Sequence, residues 1–314
     1  MGRIGEALRR SGSGRPRNAP SSSPQDQDRT FASPWTFGEQ ERPSKRPEPA
    51  SERVRTPEPA PAFDKATPQR PITRQTVTDR FRSEWKMRLS VGQDADPRLS
   101  EQFRRLAATL IHGQRTNQLK SLLITSAVPE EGKTLTSVNL ALILSESYRR
   151  RVLLIDADLR RPAISGLANL DIADGLSESL NARDERKVSL VQLSETLSLL
   201  PAGRAQKDPL SAISSPRMNR LVEEAAAEFD WVIVDTPPLS AAADAGLLAQ
   251  LVDGVLMVIR ADRTPQNLID HAITAIGRER ILGVILNGVE GTETTPYSGY
   301  YGYGATADTG ATTE

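Results

Sequence analysis

The pattern of apolar and polar positions changes twice along the chain. Between residues 98 and about 290, short Val/Ile/Leu runs alternate with segments whose apolar residues have helical spacing. The earlier part is rich in Pro, Ser, Arg and Glu, and 12 of the 22 prolines precede residue 72. Segments with so few apolar residues cannot offset the entropy lost on ordering. The sequence therefore predicts a disordered leader (1–97), a folded domain (98–290) and a flexible Gly- and Tyr-rich tail (291–314).

The folded domain is predicted to begin with a helix over residues 99–112, capped by Ser100. Buried strands are predicted at LKSLLITS, RVLLIDAD, TLSLLPAG, WVIVDTPP, GVLMVIRA and ILGVILNGV, and the clearest helices at TLTSVNLALILSESY and PRMNRLVEEAAAEF. Continuous apolar strands that alternate with helices are typical of a parallel sheet covered on both faces. The predicted fold class is α/β, and ligands in such sheets bind beyond the carboxyl ends of the strands.

Composition narrows the classes of function. The formal net charge is zero, so no global field favours nucleic acid or an anionic membrane. The chain has no cysteine, which excludes disulfides, thiolate metal sites and a cysteine nucleophile. No apolar run approaches the roughly 20 residues of a membrane-spanning helix, and the first residues do not form a secretory signal. We expect a cytoplasmic protein that does not bind nucleic acid.

One loop between a predicted strand and a predicted helix has the composition of a phosphate-binding loop. It reads SAVPEEGKT (126–134) and places Gly132, Lys133 and Thr134 at the start of the helix. A P-loop needs backbone N–H groups around the phosphates, a lysine at the β- and γ-phosphates and a hydroxyl on Mg²⁺. The general pattern GxxxxGK[ST] asks for glycine where the chain has Ala127. This motif alone leaves open a glycine turn followed by a solvated lysine.

Two other predicted strands end in carboxylates. LLIDADLRRP (153–162) contains Asp156 and Asp158, and VIVDTPP (232–238) contains Asp235. Asp235 has the position of a Walker B carboxylate, which holds Mg²⁺, often through water. Each strand end alone could be a solvated acidic turn. Three such motifs at strand ends, in this order, predict a P-loop nucleotide site.

The combined motifs resemble those of the bacterial tyrosine kinases of exopolysaccharide and capsule biosynthesis. They are the P-loop, the hhhDxDxR pattern of Asp156, Asp158 and Arg160, and the hhhDTPP pattern of 232–238. Further matches at EQFRRL, DGLSESL, KDPLSAISSPRM and ILGVILN extend the resemblance over about residues 98–303. MGRIGEALRR, which has the spacing of a short helix, resembles the start of a subgroup with a Pro-rich leader. The resemblance implies a P-loop NTPase fold of the deviant Walker type, with a mostly parallel, twisted sheet flanked by helices.

An ATP- and Mg²⁺-dependent protein-tyrosine kinase is the activity that this resemblance implies. Its catalytic residues would be Lys133, Asp156, Asp158 and Asp235, with Asp156 and Asp158 dividing hydroxyl orientation and metal contact in a way that the sequence leaves open. Metal contacts are expected from Thr134, Asp158 and Asp235. The expected nucleotide-binding residues are Pro129, Glu130, Glu131, Gly132, Lys133, Thr134, Leu135, Arg260 and Asn287.

Three of these assignments keep alternatives. Arg260 and Asn287 are candidates for adenine contact or for loop capping, and Arg160 for a phosphate, a neighbouring subunit or a surface salt bridge. The loop of the family usually reads PGEGK or PxEGK, so the acidic side chain of Glu130 must point away from the phosphates.

Four of the five tyrosines, Tyr297, Tyr300, Tyr301 and Tyr303, lie in the tail. A Gly-rich segment cannot bury them in a core, and beside a kinase domain they are expected to be its own phosphorylation sites, modified between subunits. Each phosphate adds about −1.5 to −2 charges, which would repel the acidic site and loosen oligomers.

The resemblance also implies partners. These are a separate membrane-embedded polysaccharide co-polymerase that activates the kinase and recruits it to the inner face of the membrane, a cognate tyrosine phosphatase, and further copies of the chain. Glu101 and Arg104 match the E-x-x-R-x-x-R oligomerisation motif, but Ala107 replaces its second arginine. Two other classes share the architecture: a Min/Par-type switch ATPase, whose loop would need lysine in place of Val128, and a non-catalytic ATP-binding regulatory scaffold.

Overall fold

The computed structural model describes residues 77–172, 174–182, 188–241 and 243–289. Within these ranges seven strands form a single sheet in the order β3-β4-β2-β5-β1-β6-β7. The strands are β1 (Ser121–Ser126), β2 (Val152–Asp156), β3 (Val191–Gln192), β4 (Leu197–Leu200), β5 (Trp231–Asp235), β6 (Gly254–Arg260) and β7 (Ile281–Asn287). The predicted N-terminal helix and the four tail tyrosines lie outside the described residues.

The α-helices of the described ranges are α1 (Ser83–Lys86), α2 (Pro97–Asn117), α3 (Lys133–Leu142), α4 (Ile164–Leu167), α5 (Leu176–Asn181), α6 (Leu210–Ile213), α7 (Pro216–Glu228), α8 (Asp244–Leu248) and α9 (Gln266–Ile276). Short 3₁₀ turns lie at Val77–Arg80 and Arg278–Arg280, and α3 continues into a π turn at Ile143–Ser147. None of the helices in these ranges combines the length and the apolar character needed to cross a bilayer.

The sheet is parallel except at one edge, which confirms the predicted α/β class. Every neighbouring pair from β4 to β7 in the sheet is parallel, whereas β3 runs antiparallel to β4. The sequence did not predict β3, because two residues are too few for a strand pattern to appear. The parallel order brings the ends of β1, β2 and β5 side by side, where the three motifs lie.

Two apolar layers hold the sheet between its helices. Along β1, Leu122 and Ile124 pack into the layer that contains α2 and α3, and Leu123 packs into the layer that contains α7. All three side chains are fully buried. Burial on both faces explains why the strands read as continuous apolar runs instead of an alternating pattern.

The packed part of the chain begins before the predicted boundary at residue 98. Phe81 and Leu89 are 3% and 1% exposed and belong to the core layer of α2 and α3. The Oδ1 of Asn139, on α3, accepts the backbone N–H of Ser90, and its Nδ2 donates to the carbonyl of Arg88 at 3.0 Å. Assigning residues 77–97 to a disordered leader was therefore wrong. The few apolar residues of this segment pack against the core layer of α2 and α3, and the local sequence does not reveal this tertiary contact.

This segment provides a stability prediction. Phe81→Ala is expected to lower the free energy of unfolding by about 3 kcal/mol, because it removes a buried aromatic ring and leaves a cavity. The matched control is Met87→Ala in the same segment, whose side chain is 75% exposed and whose loss should change little. Denaturant unfolding of both variants measures the difference. Equal effects would mean that the segment does not pack as described.

The first long helix begins earlier than its predicted cap. The Oδ1 of Asp96 accepts the N–H of Arg98 at 2.8 Å, and Pro97 occupies the first helical position, as is common at helix N-termini. Ser100 is not the cap, since it lies inside α2 and its hydroxyl donates to the carbonyl of Ser90 at 2.7 Å. Farther along α2, Ala107 is fully buried. An arginine at that position would have to extend its side chain through the packed layer.

Candidate nucleotide site

The phosphate-binding loop connects β1 to α3, as the sequence predicts. α3 starts at Lys133, and its N-cap Gly132 has φ +95°, a conformation that side chains with a Cβ rarely adopt. A Cβ at Gly132 would also collide with the side-chain amide of Asn287. Both constraints require glycine here. The free N–H groups and the positive end of α3 thus face the space beyond the strand ends, where an anion is favoured.

Lys133 lies at the centre of a cluster of charged and hydroxyl groups. Its Nζ is 3.2 Å from Oδ2 of Asp158, 3.9 Å from Oδ2 of Asp235 and 3.2 Å from Oγ1 of Thr134. The Thr134 hydroxyl donates to Oδ2 of Asp235 at 2.7 Å, and the Ser137 hydroxyl donates to Oδ1 at 3.0 Å. The structure therefore brings together residues from all three motifs.

Burial makes two of the carboxylates weaker acids. Asp156 and Asp235 are register partners at the ends of β2 and β5, and both are fully buried. Burial, followed by repulsion from Asp235, raises the pKa of Asp156 to about 7. Burial also raises the pKa of Asp235, against the opposing effects of Lys133 and of the Thr134 and Ser137 hydroxyls. A cation beside these two carboxylates would offset the free-energy cost of burying their negative charges.

Asp156 and Asp158 have different surroundings. The Oδ2 of Asp156 accepts the backbone N–H groups of Ala163 (3.2 Å) and Ile164 (3.0 Å), so this carboxylate ties down the loop that follows β2. The Oδ1 of Asp158 accepts the N–H of Arg161 at 3.0 Å, while its Oδ2 faces Lys133. Asp158 is thus the carboxylate of this pair that contacts the P-loop lysine.

Glu131 braces the loop from inside. Its side chain is buried, and its Oε2 accepts the N–H of Val128 at 2.8 Å. Its Oε1 accepts the N–H of Arg260 at 3.2 Å and the hydroxyl of Thr264. The carboxylate points into the protein and accepts hydrogen bonds from Val128 within the loop and from Arg260 and Thr264 at the end of β6 and just after it. In this structure Glu131 shapes the nucleotide loop through these bonds.

Arg260 and Asn287 support the same loop from the ends of β6 and β7. They are register partners in the sheet, and Nδ2 of Asn287 donates to the carbonyl of Glu131 at 2.8 Å. The Nη1 of Arg260 donates to the carbonyl of Glu130 at 3.4 Å. Both side chains therefore cap the loop, which is one of the two roles that the sequence left open for them. Adenine contact by these residues stays a prediction. Pro129 and Leu135 lie in the loop and in the first turn of α3.

Glu130 carries backbone strain. Its φ is +65°, in the left-handed region, and its side chain is exposed. Glu130→Gly is expected to raise the free energy of unfolding by about 1 kcal/mol, since glycine adopts this conformation without a Cβ clash. Denaturant unfolding measures the gain. Glu130→Ala removes the same charge but keeps the Cβ, so it should give no gain; equal gains in both variants would assign the effect to charge instead of strain.

Arg160, the arginine of the DxDxR pattern, forms an ion pair within the chain. Its Nε donates to Oδ2 of Asp244 at 2.8 Å, and its Nη1 donates to the carbonyl of Lys207 at 2.8 Å. The Asp244 side chain is 1% exposed. Hydrogen bonding to Asp244 is the main cause that raises the pKa of Arg160 above its usual value. Of the alternatives that the sequence left for Arg160, a salt bridge is the one seen here, and its acidic partner is buried.

Three polar residues of the site escaped the sequence analysis. Ser137 lies one turn after Lys133, Thr264 follows β6, and Asp244 lies nine residues after Asp235. Ser137 could have been found from its i+4 spacing, which puts it on the same face of α3 as Lys133. Asp244 and Thr264 gave no such signal, because their partners are distant in sequence.

The donor set fits a nucleotide that carries Mg²⁺. Thr134 and Asp235 offer neighbouring oxygen atoms, which Mg²⁺ prefers, and Lys133 is within reach of the same space. Among the described residues no group of three or more His, Cys, Asp or Glu side chains is arranged to hold a metal ion. Mg²⁺ usually binds through one or two carboxylates together with substrate phosphates and water. The residues present match that mode.

A P-loop between β1 and α3, with acidic strand ends on β2 and β5, defines the chain as a P-loop nucleotide-binding protein. A family model described as an AAA domain matches residues 130–276. The tyrosine-protein kinase YwqD of Bacillus subtilis (strain 168) is 36% identical over 206 residues, which cover 65% of this chain and 86% of that protein. The chain belongs to the bacterial tyrosine-kinase family, and by this membership it is a protein-tyrosine kinase.

Two further similarities agree with this family. The solved kinase domain of the Escherichia coli tyrosine kinase ETK superposes with a TM-score of 0.58 at 33% identity, covering 65% of this chain and 80% of that domain. The succinoglycan biosynthesis transport protein ExoP of Rhizobium meliloti (strain 1021) is 34% identical over 194 residues, which cover 59% of this chain but 24% of that protein. The matched region is thus about a quarter of the length of ExoP.

Proposed function

We propose that the protein is an ATP-dependent autokinase that phosphorylates Tyr297, Tyr300, Tyr301 and Tyr303 of its own chain, in reactions between subunits. The observation that carries the proposal is the Lys133–Asp158–Asp235–Thr134 cluster at the P-loop, in a chain that continues into a tyrosine-rich segment after β7. Tyr297 follows the last residue of β7 by ten positions. An extended chain of that length spans at most about 35 Å, which is the reach from the end of β7 that the proposal allows to Tyr297.

The residues of the site have distinct roles in this proposal. Bound MgATP would supply the phosphoryl group, and the reaction needs positioning and charge neutralisation more than covalent help. Lys133, which contacts Asp158 in this structure, would bind the β- and γ-phosphates, and Thr134 and Asp235 would hold the metal. Asp158, freed from Lys133, orients the tyrosine hydroxyl. The pKa of a phenol is about 10, so Asp158 accepts the proton late, as the new O–P bond forms and the bond to ADP breaks.

Asp156 supports this arrangement and does not touch the substrate. Its two oxygens accept N–H groups of Asp158, Ala163 and Ile164, and it is fully buried. We therefore propose that Asp158, and not Asp156, orients the tyrosine hydroxyl. Arg260 and Asn287 stay candidates for adenine contact at the edge of the loop that they cap.

The proposed cellular role is based on the similarity to a polysaccharide transport protein. ExoP is a succinoglycan biosynthesis transport protein. We propose that this kinase regulates polymerisation or export of an exopolysaccharide or capsule, at the inner face of the membrane. Its partners would be a membrane-embedded co-polymerase, a tyrosine phosphatase and other copies of the chain.

A mixing experiment tests the autokinase. A Lys133→Met chain with an intact tail is incubated with labelled ATP and an active chain whose four tail tyrosines are replaced by phenylalanine. Phosphorylation between subunits predicts label on the tail of the Lys133→Met chain. Label on wild type alone but not in the mixture would restrict the reaction to a single chain. Hydrolysis without label would favour a switch ATPase, and nucleotide binding with neither would favour a scaffold.

A further inference from the structure

A buried carboxylate lies behind the site, and no motif assigns it a role. Asp244 receives two hydrogen bonds from Arg160, from Nε at 2.8 Å and from Nη2 at 3.3 Å. The third nitrogen of the guanidinium, Nη1, donates to the carbonyl of Lys207. All three nitrogens of Arg160 therefore have partners within the chain. A bidentate pair of this kind holds the guanidinium in a fixed orientation.

These contacts join three segments of the chain, each of which follows a strand. Arg160 follows β2, Asp244 follows β5, and Lys207 follows β4. The three strands are neighbours in the order β4-β2-β5, so their loops leave the sheet side by side at its carboxyl edge. Through the side chain of Arg160, the loop that carries Asp158 is bonded to the segment after β4 on one side and to the first residue of α8 on the other.

Asp158 lies between two fixed points of its loop. On one side, Asp156 accepts the backbone N–H groups of Ala163 and Ile164. On the other side, Arg160 is held by Asp244, and the intervening Leu159 is fully buried. Asp158 itself has its Oδ2 at 3.2 Å from the Nζ of Lys133. The direction in which its carboxylate points is thus set by contacts that do not involve the substrate.

We infer that Asp244 is a positioning residue for phosphoryl transfer, which acts through Arg160 to keep Asp158 directed at the reacting groups. The inference deepens the proposed function and rests on it. Asp244 does not touch the P-loop, so its loss should spare nucleotide binding and impair the chemical step. Displacing a catalytic group by about 1 Å can cost about 100-fold in rate.

Asp244→Asn and Arg160→Gln test this role. Each variant is expected to lower the self-labelling rate at saturating ATP by roughly 10- to 100-fold, with the ATP concentration for half-maximal rate within about twofold of wild type. The double variant should be no slower than the slower single one, since both act through one contact. The control is Asp230→Asn, which breaks the Arg151–Asp230 ion pair (3.1 Å) at the opposite end of β5 and should leave the rate unchanged.

A second readout does not depend on kinase activity. In the nucleotide-free protein, Asp244→Asn should speed hydrogen exchange of the amides of Arg161, Ala163 and Ile164, while the P-loop amides and the affinity for ADP stay as in wild type. Rates within twofold of wild type and unchanged exchange would overturn the inference, as would a general loss of protection across the sheet. If wild type fails to label itself, the proposed function fails, and exchange and ADP affinity still decide the role of Asp244. Should Asp244→Asn not fold, Arg160→Gln, whose side chain is 34% exposed in wild type, serves for both readouts.

Discussion

Lys133→Met is expected to lower self-labelling by roughly 10²–10³-fold, the loss typical when one group that stabilises transition-state charge is removed. Among the residues that the structure describes, Lys133 is the cationic side chain that lies within 4 Å of both Asp158 and Asp235. Without it, no ammonium balances the phosphates, and the two carboxylates repel the incoming anion. The pKa of the buried Asp235 should rise further, because Lys133 is the main group that lowers it. Initial rates of ³²P transfer at saturating ATP measure the loss.

The control for this prediction is Lys120→Met. Lys120 precedes β1 at the end of the strand opposite the P-loop, and its exposed side chain donates to the carbonyl of Ala226. This variant removes the same charge from the chain without changing the site, so its rate should match wild type. A similar loss in both variants would mean that net charge, and not the position of Lys133, determines the rate.

Glu131→Ala is expected to lower the free energy of unfolding by about 3 kcal/mol and to weaken ADP binding. The substitution leaves the N–H of Val128 without its acceptor, and an unsatisfied buried group costs about 1–3 kcal/mol. It also removes the Glu131 acceptor of the Arg260 N–H and of the Thr264 hydroxyl, which keep only their longer contacts with each other at 3.3 and 3.2 Å. Partial solvent access after truncation keeps the sum below the full penalty. Denaturant unfolding and calorimetric titration with ADP measure the two effects.

Two further variants distinguish the loss of the Glu131 hydrogen bonds from the loss of a negative charge in this loop. Glu131→Gln keeps the shape and one acceptor oxygen, so it should lose about half as much stability as Glu131→Ala. Glu130→Ala removes a neighbouring but exposed carboxylate and should change neither stability nor ADP affinity. If Glu131→Ala is as stable as wild type, the carboxylate does not brace the loop.

The sequence predicted the strands of the sheet well, because each is buried on both faces. All six predicted strands form, and they are only shorter at their ends, as for LKSLLITS, which becomes Ser121–Ser126. The segment at 77–97 was missed because its order depends on a few apolar side chains in the core layer and on backbone hydrogen bonds to Asn139 of α3, about 50 residues away. Local composition reports the polar majority of such a segment and not its tertiary contacts.

The site was predictable where its chemistry follows directly on a strand. Lys133, Thr134, Asp158 and Asp235 converge because parallel strands end at the same edge. The orientation of each side chain was not predictable. Glu131 lies in the P-loop sequence but points inward, and Asp244 joins the site through Arg160 from 84 positions away. Such contacts depend on the register of loops, which no local pattern encodes.

The burial of Ala107 has an evolutionary consequence. Arginine at this position completes the E-x-x-R-x-x-R motif that the sequence resembles, yet here the residue has no exposed surface. A single substitution to arginine would bury an unpaired charge in the layer that also holds Phe81 and Leu89, at a cost of several kcal/mol. Arginine at position 107 therefore requires further changes in the surrounding layer. The N-terminal segment and the first helix would have to change together, and the two are best compared among relatives as one inherited unit.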